Sequence, residues 1–88
     1  MEPSRDATVF WIETNEREVH FLDAVASAYD GLANVRRDYR LADGRIYFKA
    51  YVGPGMEEEF LSLLEDLRRV AAIGQVLQGS QDEPPPAA

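Results

Sequence analysis

Apolar residues follow two different periods along this chain, and each change of period falls at residues that favour turns or helix caps. The run from Ala7 to Ile12 is almost entirely apolar and predicts a strand. Val9 and Trp11 point to one side of this strand. Phe10 and Ile12 point to the other side. A strand that is apolar on both faces is typical of the middle of a sheet.

A helix is predicted to follow this strand. Asn15 suits the N-cap position, and Glu18, three residues later, completes a capping box. Apolar residues then recur at helical spacing on one stripe, which comprises Val19, Leu22, Val25, Ala26 and Tyr29. Gly31 supplies the left-handed residue that commonly ends a helix.

Alternation on both sides of Asp43-Gly44 predicts a β-hairpin, because this dipeptide favours a tight turn with positive φ. In the first hairpin strand the inward residues are Val35, Tyr39 and Leu41. Arg37 breaks that pattern, and a bulge or an edge position would accommodate it. In the return strand the inward residues are Ile46, Phe48, Ala50 and Val52, and the outward residues are Arg45, Tyr47, Lys49 and Tyr51.

A second helix is predicted after the hairpin. Gly53 and Pro54 suit its N-cap and its first helical position. The acidic residues 57–59 match the positive end of the helix dipole, and Glu65 reaches Arg69 four residues on. The buried stripe comprises Phe60, Leu64, Leu67 and Ala71, flanked by Leu61 and Leu63.

Residues 73–78 are interpreted as a fourth strand rather than as an extension of the helix, because Gly74 weakens a helix and the first strand needs a second neighbour. The element order then predicts an α+β fold, a ferredoxin-like βαββαβ sandwich. Its sheet is expected to contain four antiparallel strands in the order 4-1-3-2, with both helices on one face. The domain is expected to span residues 7–78, between a flexible leader at 1–6 and a disordered proline-rich tail at 79–88.

Composition restricts the chain to one small domain without thiol chemistry. The sequence has 88 residues, of which 45% are apolar, and it contains no cysteine. A formal charge of −7 disfavours nucleic acids and other polyanions as partners. The N-terminal residues lack the pattern of a signal peptide, and no apolar run approaches the ~20 residues needed to cross a bilayer. We therefore expect a cytoplasmic protein without membrane association.

Charge is distributed unevenly along the chain. Residues 32–52 contain five cations and two acids, a local charge of +3, whereas the remainder contains four cations and fourteen acids, a charge of −10. The sheet face opposite the helices would therefore combine basic with aromatic residues, and the first strand would add either its Trp11 side or its Phe10 side. The predicted interaction surface comprises Trp11, Arg36, Arg40, Arg45, Tyr47, Lys49 and Tyr51.

Three functions compete for this surface. Burial against a second copy of the chain is favoured, because large apolar patches mark protein partners. We therefore expect a homodimer; an unknown protein partner is the alternative for the same surface. RNA-recognition domains stack bases on aromatic residues in the same layout, and residues 44–51 weakly resemble their third-strand motif. The acidic remainder of the chain opposes RNA. Ligand-binding domains of the ACT type share the element order, although residues 13–16 lack the Pro/Gly-containing loop with which ACT domains approach an amino acid.

Two local motifs and the hairpin resemble a small family of uncharacterised bacterial proteins. The motifs are Tyr29-Asp30-Gly31-Leu32 at the end of the first helix and Pro54-Gly55-Met56-Glu57-Glu58 at the start of the second. The resemblance extends from Thr8 to Val70. It implies a ferredoxin-like, ACT-like layout, and it brings neither an assigned activity nor site residues.

No residue pattern indicates catalysis, a metal site or a cofactor. His20 is predicted on the solvent side of the first helix. Residues 57–59 point about 100° apart around a helix and cannot converge on one ion. Neither Ser27 nor Ser62 has a histidine partner at a predictable spacing, and Gly53-Pro54-Gly55 lacks the Lys-Ser/Thr ending of a phosphate loop. The chain is therefore expected to be a non-enzymatic interaction or regulatory module.

Overall fold

The computed structural model describes residues 8–29, 32–79 and 84. The elements are β1 Thr8–Glu13, α1 Glu16–Ala28, β2 Ala33–Ala42, β3 Arg45–Val52, α2 Glu57–Leu67 and β4 Val76–Gly79. The four strands form one antiparallel sheet in the order β2-β3-β1-β4. This is the predicted order read from the opposite edge, so the ferredoxin-like α+β layout with a fourth strand is confirmed. That strand spans residues 76–79 instead of the predicted 73–78, so Gly79 belongs to the sheet and not to the predicted tail. The predicted leader and, apart from Pro84, the rest of the predicted tail lie outside the described residues. Neither described helix is long and apolar enough to cross a membrane.

Both helices cover the same face of the sheet. One core cluster joins Phe10, Ile12, Phe48, Ala50 and Val52 of the sheet to Val19, Leu22 and Ala26 of α1 and to Phe60, Leu63 and Leu64 of α2. The ring centroids of Phe10 and Phe60 lie 5.5 Å apart, as tilted aromatic pairs prefer. Because strand residues alternate, Val9 and Trp11 must lie on the other face of β1.

The start of α1 is confirmed, but its predicted details are partly wrong. The Asn15 side chain accepts a hydrogen bond from the Glu18 N–H at 3.0 Å, which makes Asn15 the N-cap. The Glu18 carboxylate instead accepts from the Ala72 N–H at 2.8 Å, so it fastens the segment after α2 to α1. Tyr29, predicted in the buried stripe, is exposed, because it caps the helix and has left helical geometry. Gly31, the predicted helix stop, lies outside the described residues, as does Asp30 of the motif shared with the bacterial family.

The hairpin and its irregularity are both confirmed. Asp43 and Gly44 have φ values of 54° and 74°, the positive values of a type I′ turn. The register of β2 against β3 shifts between Val35 and Tyr39. Residues 36–38 therefore occupy a bulge, and β2 is also an edge strand. This bulge accounts for the arginine that breaks the alternation.

The predicted start of α2 is wrong by three residues, because residues 53–56 form a β-turn and not the first turn of the helix. The Met56 N–H donates to the Gly53 carbonyl at 3.0 Å, and Gly55 has φ of 85°. These values describe a type II turn with Pro54 at its second position. The helix begins only at Glu57, and its N-cap residue makes no side-chain cap.

The predicted ion pair at the end of α2 forms with a different arginine. Arg68 Nε donates to Glu65 Oε2 at 2.9 Å, three residues along the helix, instead of the expected Arg69. The Arg68 guanidinium also donates to the Ile73 carbonyl at 2.7 Å. Arg68 therefore connects the end of α2 to the segment that leads into β4.

Candidate interaction site

A second apolar cluster lies on the sheet face opposite the helices. Its buried members are Val9, Trp11 and Tyr47, and the partly buried Ala42, Tyr51 and Leu77 pack against them. Trp11 is 0% exposed and Tyr47 is 1% exposed. The Trp11 side of β1 is therefore the side that faces away from the helices. Tyr47 lies on the sheet face away from the helices, as the strand alternation predicted, yet its ring is buried.

Polar contacts hold the aromatic rings of this cluster in place. The Tyr47 hydroxyl donates to Gln75 Oε1 at 3.0 Å, which satisfies a group that would be costly to bury alone. Lys49 Nζ lies 5.5 Å from the ring centroids of both Trp11 and Tyr51. Such cation–π contacts are worth about 0.5–1 kcal/mol each where solvent is near. Lys49 thus lies against both rings with its charge directed to them.

The basic residues of the predicted surface take different positions. Arg40 lies opposite Tyr47 in the β2–β3 register, so it shares the face of the buried cluster. Arg45 lies at the end of the same face and pairs with Glu13 at 3.3 Å. Arg36 is exposed within the bulge, where the alternation that would assign its side is interrupted. The structure therefore groups six of the seven predicted residues on one face and leaves Arg36 apart.

Three exposed apolar residues lie together at the turn end of the hairpin. We call Tyr39, Leu41 and Ile46 the hairpin patch; they are 52%, 70% and 39% exposed. Leu41 and Ile46 are register partners, and the Tyr39 ring lies 5.9 Å from that of the buried Phe48. The patch therefore continues the main core along the helix side of the hairpin, beyond the part of the sheet that the helices cover. Sequence alternation gave its side correctly but predicted burial that the short helices do not provide.

The free edge of β2 is only partly available for pairing. The Val35 N–H donates to Asp23 Oδ1 of α1 at 3.1 Å, so this amide points to the edge and is already used. The bulge at residues 36–38 follows and interrupts the row of edge amides. In the described part of the chain, residues 39–42 pair with β3 alone. This short stretch, beside the hairpin patch, is therefore the open part of the edge.

A cleft of about 490 Å³ opens at the end of β1. Its lining comprises residues 13–15, 44–46 and 72–74. The Glu13 carboxylate lies in it, accepting from the Gln75 N–H at 3.0 Å and from the Arg45 guanidinium at 3.3 Å. The Gly74 N–H donates to the Glu13 carbonyl at 2.7 Å, and a Cβ at Gly74 would lie 2.6 Å from Glu13 Cδ. A larger residue at position 74 would therefore require the Glu13 side chain to move.

The titratable groups of the described residues include one with a shifted pKa, that of Glu57. Among the residues that the structure describes, no group of three His, Asp or Glu side chains could hold a metal ion. The pKa of Glu57 lies below its usual value, first because the Thr8 hydroxyl donates to its carboxylate at 2.6 Å and then because a backbone N–H does. This contact ties the start of α2 to the start of β1.

Known proteins provide no role that could be transferred to these surfaces. No protein-family model, no curated protein and no solved structure matches this chain. The resemblance to uncharacterised bacterial proteins, with its ACT-like layout, therefore stays a prediction. The physical properties of the two sheet faces and of the cleft are what remains to indicate a function.

Proposed function

We propose that the protein is a non-enzymatic, cytoplasmic interaction module that self-associates, and that the hairpin patch forms the contact. The proposal rests on three exposed apolar side chains that lie next to each other on one side of the hairpin, which are Tyr39, Leu41 and Ile46. Single exposed apolar residues are ordinary, whereas contiguous ones mark protein partners. The patch also continues the main core, so a partner would extend existing packing.

The burial of Trp11 and Tyr47 moves the expected contact away from the centre of the other sheet face. Buried rings offer a partner no accessible area. The same burial weakens the RNA alternative, because base stacking needs accessible ring faces. Arg40 and Arg45 remain exposed at the rim of that face. Rim charges mainly affect association rate and specificity, and they contribute little affinity.

A twofold arrangement would use the open part of the β2 edge. Two copies of residues 39–42 running antiparallel would join the two sheets and place Leu41 of both copies on the same face. The Val35 N–H already donates to Asp23, so this pairing is limited to the end of the hairpin. The arginines of both copies would approach each other, so we expect added salt to strengthen the association by screening their repulsion.

The Leu41→Asp variant tests this contact. Burying a charge in place of an apolar contact residue should cost about 2 kcal/mol or more, roughly a 30-fold rise in the dimer Kd. Val70→Asp is the matched control, because Val70 is equally exposed at 70% but lies after α2. Sedimentation equilibrium across a concentration series should show a native dimer, a Leu41→Asp monomer and a dimeric control. A native chain that stays monomeric at its highest soluble concentration would refute the proposal.

The cleft supports a second candidate, a small-ligand sensor. It brings the Glu13 carboxylate and the Arg45 guanidinium together beside the loop between β1 and α1. A free amino acid carries the two complementary charges, ammonium for the first group and carboxylate for the second. A specific ligand at a hundred times its Kd adds about 2.7 kcal/mol to stability, which a thermal-shift screen of amino acids detects. Arg45→Gln should abolish the shift, and a screen without any hit in the native chain excludes this candidate.

A further inference from the structure

Charges of opposite sign lie on different elements of the described fold. α2 contains five acidic residues and no cation, and α1 contains three acidic residues and one arginine. β2 contains three arginines and one aspartate. The helix layer is therefore acidic and the β2 edge of the sheet is basic. One copy of the chain thus offers two surfaces that attract each other's counterpart on a second copy.

Two acidic residues on one side of α2 are available to a partner. Glu57 and Glu65 already have partners within the chain, a threonine hydroxyl and an arginine. In the part of the chain that the structure describes, neither Glu59 nor Asp66 takes part in an ion pair, and both are exposed. Arg69 follows three residues after Asp66 and does not pair with it. Their charges are therefore left for another molecule to neutralise.

Glu59 and Asp66 share a pocket of about 170 Å³ between the end of α1 and one side of α2. We call it the acidic pocket; its described lining comprises Tyr29, Leu32, Glu59, Ser62, Leu63 and Asp66. Leu32 and Leu63 are buried and give it an apolar base, whereas Tyr29 is 57% exposed at its rim. Pockets for drug-sized ligands measure about 300 Å³ or more, so this one suits a single side chain.

Arginine is the side chain that matches this lining. Its guanidinium binds carboxylates in a bidentate manner and stacks on aromatic rings, which are the groups at the rim. Its aliphatic stem packs on apolar surface, which is the material of the base. Lysine would satisfy the charge without the planar geometry.

The bulge of β2 presents two arginines that could fill such a pocket. Arg36 and Arg37 are exposed, and within the described residues neither takes part in an ion pair. They differ in this from Arg45 and Arg68, which pair with glutamates of their own chain. β2 is an edge strand, so its bulge is accessible to another molecule.

We propose that the acidic pocket receives an arginine, Arg36 or Arg37, from the β2 bulge of a second copy of the chain. Donor and acceptor are different surfaces, so the contact is heterologous, and the copy that donates its arginine keeps its own pocket open. This contact goes beyond that of the hairpin patch, which is isologous. Added salt should weaken the arginine contact and strengthen the hairpin contact, so the two proposals fail separately.

Two neutralised variants test the contact, both carrying Leu41→Ser to remove the hairpin contact without adding charge. The pocket variant, Glu59→Gln with Asp66→Asn, keeps its bulge arginines. The bulge variant, Arg36→Gln with Arg37→Gln, keeps its pocket. Neutral replacements are required because reversed charges would create a new ion pair in the mixture. All the replaced side chains are exposed, so both variants should fold and show native amide dispersion in NMR spectra.

The isotope-labelled bulge variant is titrated with the unlabelled pocket variant. Saturable shifts are expected at the amides of Tyr29 and Leu63, in the one intact pocket of the pair. Raising salt from about 0.01 M to about 1 M should raise the Kd roughly tenfold or more, because the screening length falls from about 30 Å to about 3 Å. Unlabelled bulge variant, which lacks the donor, should cause no shifts. A titrant that loses Arg17 and Arg69 instead of its pocket acids' donors is the matched control and should still bind.

Three results would overturn the proposal. The mixed pair could give no saturable shifts, its shifts could lie away from the pocket, or its Kd could be unchanged by salt. N-acetylarginine amide serves as a probe for other occupants. If the pocket amides respond to this probe and not to the pocket variant, the pocket takes an arginine of another protein and the second copy is the wrong partner.

Discussion

Replacing Tyr47 with alanine should destabilise the fold by about 3–5 kcal/mol, the usual cost of removing a buried aromatic side chain. This cost follows from the burial of the ring, since Tyr47 is 1% exposed and packs with Val9 and Trp11. A tyrosine directed into solvent would change stability by no more than about 0.5 kcal/mol. The two expectations differ by several-fold, so a single measurement distinguishes a second core from an open face.

Tyr47→Phe separates the hydroxyl from the ring. It removes one neutral hydrogen bond, from the hydroxyl to Gln75, and should cost about 1 kcal/mol. The cost stays low because Gln75 is exposed and its freed oxygen can bind water. Tyr39→Ala is the matched control for the ring: Tyr39 lies on the neighbouring strand, half of it is accessible, and its contact with Phe48 should be worth about 1 kcal/mol.

Urea unfolding followed by far-UV circular dichroism measures these differences. A domain of this size unfolds with roughly 5–10 kcal/mol, so the Tyr47→Ala variant should still fold and show a much lower midpoint at unchanged m. Tyr47→Ala should lower the free energy of unfolding most, and Tyr39→Ala and Tyr47→Phe should lower it by similar, smaller amounts. If Tyr47→Ala costs no more than Tyr39→Ala, the Tyr47 ring is not part of a packed cluster with Val9 and Trp11.

Two further predictions concern contacts that join elements distant in sequence. The folded-state pKa of Glu57 lies below its usual value, so its contribution to stability is present above the usual glutamate pKa and is lost as pH falls through the folded-state pKa. Thr8→Val should bring that pKa back towards its usual value in an NMR titration, and an unchanged titration would contradict the assigned cause. Gly74→Ala should displace the Glu13 carboxylate from the Gln75 N–H and lower stability by about 1 kcal/mol, after the gain from a stiffer unfolded chain. A melting temperature at or above the native value would show that the carboxylate moves aside without loss.

Local patterns in the sequence were sufficient to predict the element order and the sheet topology. Residues such as Phe48 and Leu22 fall on helix-facing stripes because the periods of strands and helices are fixed by backbone geometry. Asp43-Gly44 predicts its turn because few residues adopt positive φ at low cost. Strand order then follows from the two crossovers, since each must bring its strand beside an existing neighbour.

Burial could not be predicted in the same way, because periodicity gives the side of a residue and not what covers that side. Leu41 and Phe48 share the inward parity, yet Leu41 is exposed and Phe48 is buried. Tyr47 has the outward parity and is buried. The prediction of where α2 starts was wrong for a related reason, because Gly53 and Pro54 suit both a helix start and a type II turn. The positive φ of the following Gly55 distinguishes the two.

Gly74 has a consequence for the alignment of the last strand. A strand of four residues has few ladder hydrogen bonds with which to hold its own register. Sliding it by one position would bring Ile73 or Gln75 to the place of Gly74, and the Cβ of either residue would overlap the present position of the Glu13 carboxylate. A shifted alignment therefore requires the Glu13 carboxylate to leave the Gln75 N–H, which penalises the shift. Insertions and deletions between the second helix and the last strand should therefore be tolerated better before Gly74 than after it.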